Sequence, residues 1–185
     1  MNVLKSVLIA ATLAFAAPAI AAEASGPSAG HPLSPLFDMI AGGEWQPATP
    51  AYPDEIRTTM TFAWDSAVGQ ITGTSVRTGG IAGIRQITDV VFAYDAENDT
   101  ITVTRTPNEA LSTKITGQTP KTVTGTVTLN DTGFQMRFES MSTAVEMMIT
   151  AVQFETPDTW VERSEILSNG TSNLSTEIRY VRKKE

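Results

Sequence analysis

The amino-acid sequence predicts an all-β protein, an antiparallel up-and-down barrel of about eight to ten strands with a short N-terminal helix. The first observation is that apolar and polar residues alternate along most of the chain, as in strands with one solvent-exposed face. The second is that turn-forming residues interrupt this alternation at short intervals. The third is that threonine is the most frequent residue and joins valine and isoleucine in favouring a pleated surface. A β-sandwich is the alternative fold.

The helix is predicted over residues 34–42. Ser34 can accept hydrogen bonds from free backbone amides as the N-cap, Pro35 suits the first helical position, and Gly42 can end the helix. This spacing gives a helix of about two turns. After it, the apolar period changes from that of a helix to that of a strand.

The strands follow the helix in sequence order. The alternation is clearest in four segments, at residues 56–64, 100–106, 122–129 and 134–139. Further strands are predicted near residues 70–77, 85–94, 111–117, 145–154, 160–166 and 176–182. Turn residues cluster between them at 65–69, 96–99, 130–133, 156–158 and 168–170. Because the connections are short and contain no helical crossover, a meander that closes into a barrel is favoured.

Residues 1–21 have the features of a secretory signal peptide. Lys5 precedes an apolar run over residues 7–17, and the small residues Ala19 and Ala21 suit cleavage after Ala21. The apolar run is shorter than the roughly 20 residues that span a bilayer, which argues against an uncleaved anchor. We therefore expect a periplasmic or secreted protein with no membrane span after the signal is removed.

Residues 22–33 are rich in glycine, proline, serine and alanine. They predict a flexible leader, since such a segment has little apolar surface to bury. No fixed-period repeat and no second linker of this kind follows. One barrel domain is therefore predicted over residues 34–185.

The composition excludes several classes of chemistry. Without cysteine the chain has no disulfide, thiolate metal site or cysteine nucleophile, and a formal net charge of −7 disfavours nucleic acid as a partner. The single histidine, His31, lies in the predicted leader. This position argues against a serine–histidine hydrolase, a histidine-ligated haem and a histidine zinc site. We expect no cofactor, no metal and no catalytic residue.

Carboxylates are the remaining candidates for acid–base chemistry. Glu162 and Glu165 flank Arg163 on one predicted strand, and Glu162 shares the face of Trp160. Asp89 lies in an otherwise apolar stretch, where an inward position would place it inside the barrel. Cross-strand ion pairs on a solvated face are the favoured interpretation over a catalytic pair.

A Gly-x-Trp triplet, Gly43-Glu44-Trp45, lies between the helix and the first strand, and two arginines, Arg179 and Arg182, lie in the last strand. This arrangement resembles the calycin superfamily of lipocalin-like barrels, in particular its small exported bacterial domains without an established function. The resemblance implies that the helix closes one end of the barrel and that Trp45 packs under a basic residue of the last strand. Arg179 or Arg182 would fill that role, and cation–π attraction would stabilise the contact.

The sequence therefore favours a non-enzymatic protein that binds a small apolar or amphipathic molecule inside its barrel. The candidate lining residues are inward apolar positions: Met60, Phe62, Trp64, Ile101, Val103, Phe134, Met136, Phe138 and Trp160. Arg77, Arg85 or Arg105 would anchor an anionic head group. Two alternatives remain open, a cell-envelope interaction module whose barrel is filled by side chains and an enzyme that uses a carboxylate or an arginine.

Overall fold

The computed structural model describes residues 26–49, 57–79, 84–108, 121–139, 145–168 and 171–183. In these residues one helix is followed by ten strands: α1 (Ser34–Ile40), β1 (Glu44–Pro47), β2 (Arg57–Asp65), β3 (Gln70–Gly79), β4 (Ile84–Asp95), β5 (Thr100–Pro107), β6 (Val123–Asn130), β7 (Gly133–Glu139), β8 (Met147–Thr156), β9 (Thr159–Ser168) and β10 (Thr171–Lys183). The predicted all-β fold with a short N-terminal helix is confirmed. The predicted strand near residues 111–117 and the predicted signal peptide lie outside the described residues.

The strands form a closed antiparallel barrel in which strands that follow one another in the chain are neighbours in the wall. β1 completes the wall, because it pairs with β2 on one side and with β10 on the other. The predicted up-and-down barrel is thereby confirmed, and the β-sandwich alternative is wrong.

The two ends of the barrel differ. We call the end where α1 packs the helix end; there Phe37 of α1 contacts Trp64 of β2 edge to face, with ring centroids 6.3 Å apart. Four tight turns lie at this end, at residues 66–69, 96–99, 131–132 and 157–158. We call the opposite end the far end; the strand ends there border residues outside the described part of the chain.

Side chains alternate between the interior and the outer wall. Ile71, Phe92 and Val103 lie in register across β3, β4 and β5, and all three are buried in the core. The threonines of β5 and β6 occupy the alternate positions and face outward. There the hydroxyl oxygens of Thr104 and Thr124 lie 3.2 Å apart across the strand pair. The threonine-rich positions of these strands therefore form the wall and not the interior.

The start of α1 differs from the prediction. Leu33 occupies the N-cap position, no side chain caps the helix, and the Ser34 hydroxyl donates a hydrogen bond to the Ser28 carbonyl at 3.0 Å. Leu33 is fully buried, so apolar packing holds this end of the helix in place of a side-chain cap. The helix ends at Ile40, and Gly42 follows it with a φ of 83°. The prediction of Ser34 as the N-cap is wrong.

The packed domain extends into the segment that the sequence predicts to be a leader. Leu33 belongs to the hydrophobic core, and its backbone amide donates a hydrogen bond to Nδ1 of His31 at 3.2 Å. The ring of His31 contacts that of Trp64, with centroids 5.1 Å apart. Residues 26–33 thus pack at the helix end beside α1.

Candidate functional site

The helix end is closed by Trp45 and Arg182. Trp45 is fully buried and donates a hydrogen bond from its indole nitrogen to the Ile40 carbonyl, 2.8 Å away. The guanidinium carbon of Arg182 lies 4.5 Å from the centroid of the Trp45 ring, within the range of cation–π attraction. Two nitrogens of Arg182 donate hydrogen bonds to the carbonyls of Met39 and Ala41, each at 2.7 Å. These contacts satisfy carbonyls at the end of α1 and hold the helix against the first and last strands.

Gly43 permits a close approach of two backbone segments at this closure. Its φ is 106°, and a Cβ atom there would lie 2.7 Å from the Lys183 carbonyl oxygen and 3.1 Å from the Arg182 side chain. Arg179, the second arginine of the last strand, lies on the outer wall and donates a hydrogen bond to Glu155 at 2.8 Å. Of these two arginines, only Arg182 takes part in the closure.

The interior next to α1 is filled by apolar side chains. Trp45 and Trp160 stack with ring centroids 3.8 Å apart, and Phe92 contacts Phe134 edge to face at 6.5 Å. Every predicted lining residue belongs to this core or packs against it. Five of them are buried, Ile101, Val103, Phe134, Phe138 and Trp160, and four are partly buried, Met60, Phe62, Trp64 and Met136. These residues therefore serve first as the packed core of the barrel.

Three ionisable side chains face the interior from separate strands. Arg105 of β5, Glu162 of β9 and Tyr180 of β10 each lie in register with inward-facing core residues. The guanidinium carbon of Arg105 lies 6.0 Å from the centroid of the Phe138 ring. Arg105 and Glu162 are near enough for the charge of each to shift the pKa of the other, and both charges act on the pKa of Tyr180. We call these three residues the interior polar cluster.

Burial dominates the ionisation of the interior polar cluster. Burial raises the pKa of Glu162, while the charge of Arg105 and a hydrogen bond from Ser164 lower it. Burial also lowers the pKa of Arg105, against the effect of the Glu162 charge. The pKa of Tyr180 is raised well above its ordinary value, first by burial and then by the Glu162 charge. In such surroundings an opposite charge or a hydrogen bond has a larger effect than in water.

Two members of the cluster are hydrogen-bonded within the protein. The Glu162 carboxylate accepts a hydrogen bond from Ser164, whose hydroxyl oxygen lies 3.1 Å from that of Thr150. The hydroxyl of Tyr180 is hydrogen-bonded to Thr58 of β2. Their polar atoms therefore have partners even though they lie inside an apolar barrel.

Arg105 is the exception. Its guanidinium forms no hydrogen bond or ion pair with any residue in the described part of the chain, and its ring contact is with Phe138. A guanidinium carries five N–H donors in a planar fork that matches a carboxylate or a phosphate. Arg105 is half-buried beside the Phe138 ring, and an anionic group there would supply the partner that its guanidinium lacks among the described residues.

Strand alternation places the other candidate arginines on different faces. Arg77 shares the inward face of β3, and its charge acts on the pKa of Tyr180. Arg85 precedes the inward-facing Gln86 by one residue and is exposed on the outward face of β4. Arg85 therefore does not line the interior, contrary to expectation.

The remaining carboxylates lie on the outer wall. Asp89 accepts a hydrogen bond from the side-chain amide of Asn108 at 3.4 Å and does not face the interior. Arg163 of β9 forms a cross-strand ion pair with Glu177 of β10 at 2.8 Å. Glu165 shares the outward face of Arg163, so it cannot form a catalytic pair with the inward-facing Glu162. The interpretation of this face as a surface with cross-strand ion pairs is confirmed.

Sequence reasoning missed Tyr180 and Thr150 as parts of the site. Tyr180 shares the face of Arg182 by strand alternation, but the sequence alone does not decide whether Arg179 or Arg182 faces inward. Thr150 also has the inward parity, but its contact with Ser164 depends on the register between β8 and β9. That register cannot be read from either strand alone.

Comparisons of the chain with protein-family models, with curated proteins and with solved structures find no match. In the residues that the structure describes, no group of three or more histidine, aspartate or glutamate side chains is placed to hold a metal ion. No helix in the same residues is long and apolar enough to cross a membrane.

Proposed function

We propose that this protein is an exported calycin-like barrel that binds a small amphipathic molecule, with an acidic head group held by Arg105. The observation that carries the proposal is a half-buried guanidinium that faces the barrel interior and is bonded to no described residue. The closed barrel with a helix across one end supports the calycin-like assignment. The signal-like features of residues 1–21 support export.

A carboxylate or a phosphate would complete the contacts of Arg105. Charge-assisted hydrogen bonds to a guanidinium are about twice as strong as neutral ones and gain further strength away from water. The guanidinium lies within cation–π range of the Phe138 ring, 6.0 Å from its centroid. An acidic head group is therefore the chemistry that this side chain binds best.

The apolar part of the ligand would lie beside Arg105, away from the filled helix end. The helix end is occupied by the stacked rings of Trp45 and Trp160. On the inner face, Val123 is the cross-strand partner of Arg105, and Met148 is a partly buried residue of β8. Methionine adapts its shape to irregular apolar ligands, so these two side chains offer contact surface beside the anchor.

Calorimetric titration of the mature protein with sodium dodecanoate tests the proposal. We expect the wild type to bind, and Arg105→Gln to bind at least about tenfold more weakly, because one charge-assisted contact is lost. Arg137→Gln is the matched control, since Arg137 is exposed on the outer wall in an ion pair with Glu139 at 3.0 Å. The Arg137→Gln variant should bind dodecanoate with the affinity of the wild type. A wild type that binds no dodecanoate, or an Arg105→Gln variant with unchanged affinity, contradicts the proposal.

A filled barrel that acts as a cell-envelope interaction module is the second candidate. The packing of the helix end favours it, since the predicted lining residues are core. The outward threonine rows of β5 and β6 would then supply the contact surface. Native mass spectrometry of protein purified from its own host separates the two: a co-purifying amphipathic molecule supports the carrier, and a consistently bare chain supports the module.

A further inference from the structure

We infer that the head group of the ligand is zwitterionic, with its anionic part at Arg105 and its cationic part at Glu162. This inference rests on the proposed binding function and specifies the class of ligand. The two side chains bring opposite charges into one interior and form no ion pair with each other.

Arg105 and Glu162 reach the interior from separate parts of the wall, since β6, β7 and β8 lie between β5 and β9. No ion pair joins the two side chains in the described part of the chain, although each charge influences the pKa of the other. A cation and an anion therefore face the same interior with a gap between them. A direct ion pair would have closed the site to charged ligands.

A ligand with a single negative charge can bind at Arg105, but it leaves Glu162 without a partner charge. A carboxylate or phosphate at Arg105 would lie near the Glu162 carboxylate, and like charges repel strongly in surroundings of low polarity. Glu162 would then have to take up a proton, or the affinity would fall. A simple cation beside Glu162 meets the corresponding repulsion from Arg105. A head group that carries both charges neutralises both side chains at once.

The neighbours of Glu162 suit a cationic group. Tyr180 of β10 is close enough for the Glu162 charge to raise its pKa, and an aromatic ring beside a carboxylate attracts an ammonium. Burial raises the pKa of Glu162, and the hydrogen bond from Ser164 lowers it, as a cationic group of the ligand would. The other cation that acts on this region is Arg77 of β3, which lies at an exposed position. A phosphate ester with a nearby amine, as in a lysophospholipid head group, has the required pair of charges.

Three dodecyl compounds with the same apolar chain test the inference: dodecylphosphocholine, dodecyl phosphate and dodecyltrimethylammonium. Each is titrated into the mature protein by calorimetry below its micelle concentration. We expect the wild type to bind dodecylphosphocholine most tightly. Glu162→Gln should weaken the binding of dodecylphosphocholine by about tenfold, which is the size of one lost charge contact. The same variant should bind dodecyl phosphate as tightly as the wild type or more tightly. Arg105→Gln should weaken the binding of both dodecylphosphocholine and dodecyl phosphate.

Glu165→Gln is the matched control, because Glu165 lies on the same strand and faces outward. The zwitterion inference is wrong if the wild type binds dodecyl phosphate more tightly than it binds dodecylphosphocholine. It is also wrong if Glu162→Gln binds dodecylphosphocholine as tightly as the wild type does. In that event a loss of dodecyl phosphate binding in Arg105→Gln still supports the proposed function. If Arg105→Gln changes no affinity, the proposed function itself fails. The order of wild-type affinities needs no variant and decides the question should Glu162→Gln fail to fold.

Discussion

Arg182 connects three parts of the molecule through one side chain. It covers the ring of Trp45 and donates hydrogen bonds to two carbonyls at the end of α1. Burial lowers the pKa of Arg182. The Asp158 carboxylate, which lies 3.6 Å from the Nε atom of Arg182, acts in the opposite direction and favours the charged guanidinium. A cation at the C-terminal end of a helix is also favoured by the helix dipole. Among the described residues, the side chain of Arg179 forms a surface ion pair with Glu155 and makes no contact with the closure.

Replacing Arg182 should therefore be far more costly than replacing Arg179. We expect Arg182→Met, which keeps an apolar stem, to lower the free energy of unfolding by about 2–4 kcal/mol, because two carbonyls lose their donors and the indole loses its cation. Arg179→Met should change it by less than about 1 kcal/mol, as exposed ion pairs contribute little. Urea unfolding measures both values. Equal losses for the two variants would show that Arg182 makes only a surface contact.

At the scale of elements, α1 depends on the barrel for its stability. It has seven residues, which is shorter than the roughly 12–15 residues at which isolated helices become marginally stable. Its buried side chains Leu36 and Ile40, together with Leu33 before it, belong to the barrel core. Packing against the helix end is therefore what makes this segment helical.

The start of the helix offers a direct test of this account. We expect Leu33→Ala to lower the free energy of unfolding by about 2–4 kcal/mol, the usual cost of truncating a buried leucine. Ser34→Ala should cost less than about 0.5 kcal/mol, because the Ser34 hydroxyl bonds to Ser28 and does not cap the helix. Urea unfolding of both variants provides the measurement. A loss in Ser34→Ala as large as that in Leu33→Ala would restore Ser34 as the cap.

At the scale of the whole molecule, the barrel is packed unevenly along its axis. The helix end combines stacked tryptophans, the buried α1 side chains and the Arg182 contacts. Inward positions nearer the far end, such as Arg77 and Gln86, are more exposed and polar. Local opening is easiest where few apolar contacts hold the backbone, so the far end should open first.

Amide hydrogen exchange checks this gradient within a single pair of strands. In the β3–β4 ladder, the amides of Ile71 and Phe92 should exchange more slowly than those of Arg77 and Gln86, because the first pair lies in the core and the second near the far end. Both pairs belong to the same ladder, so strand pairing itself is the internal control. Equal protection along the ladder would contradict an uneven barrel.

The sequence by itself determined most of the described strands and turns and the inward faces of several strands, although it did not predict β1 and placed Arg85 among the lining residues. Alternation and turn residues are local properties, and they placed Arg105, Glu162 and Trp160 on inward faces before any tertiary contact was known. Closure was also predictable, because short connections leave consecutive strands as neighbours. Pro35 and Gly42 predicted the helix correctly. The N-cap was assigned wrongly, because the packing of Leu33 in the core depends on residues distant in sequence.

Only the tertiary structure decided which inward residues meet. Arg105 and Glu162 lie on strands that are not neighbours, and their approach across the interior depends on the register of all the strands between them. Alternation predicts which face of the sheet a side chain lies on, but it does not predict the position of that side chain along the barrel axis. For the same reason the choice between Arg179 and Arg182 over Trp45 needed the pairing of β1 with β10. Chemistry that acts across a closed barrel is set by the register of its strands, and local sequence patterns do not contain that information.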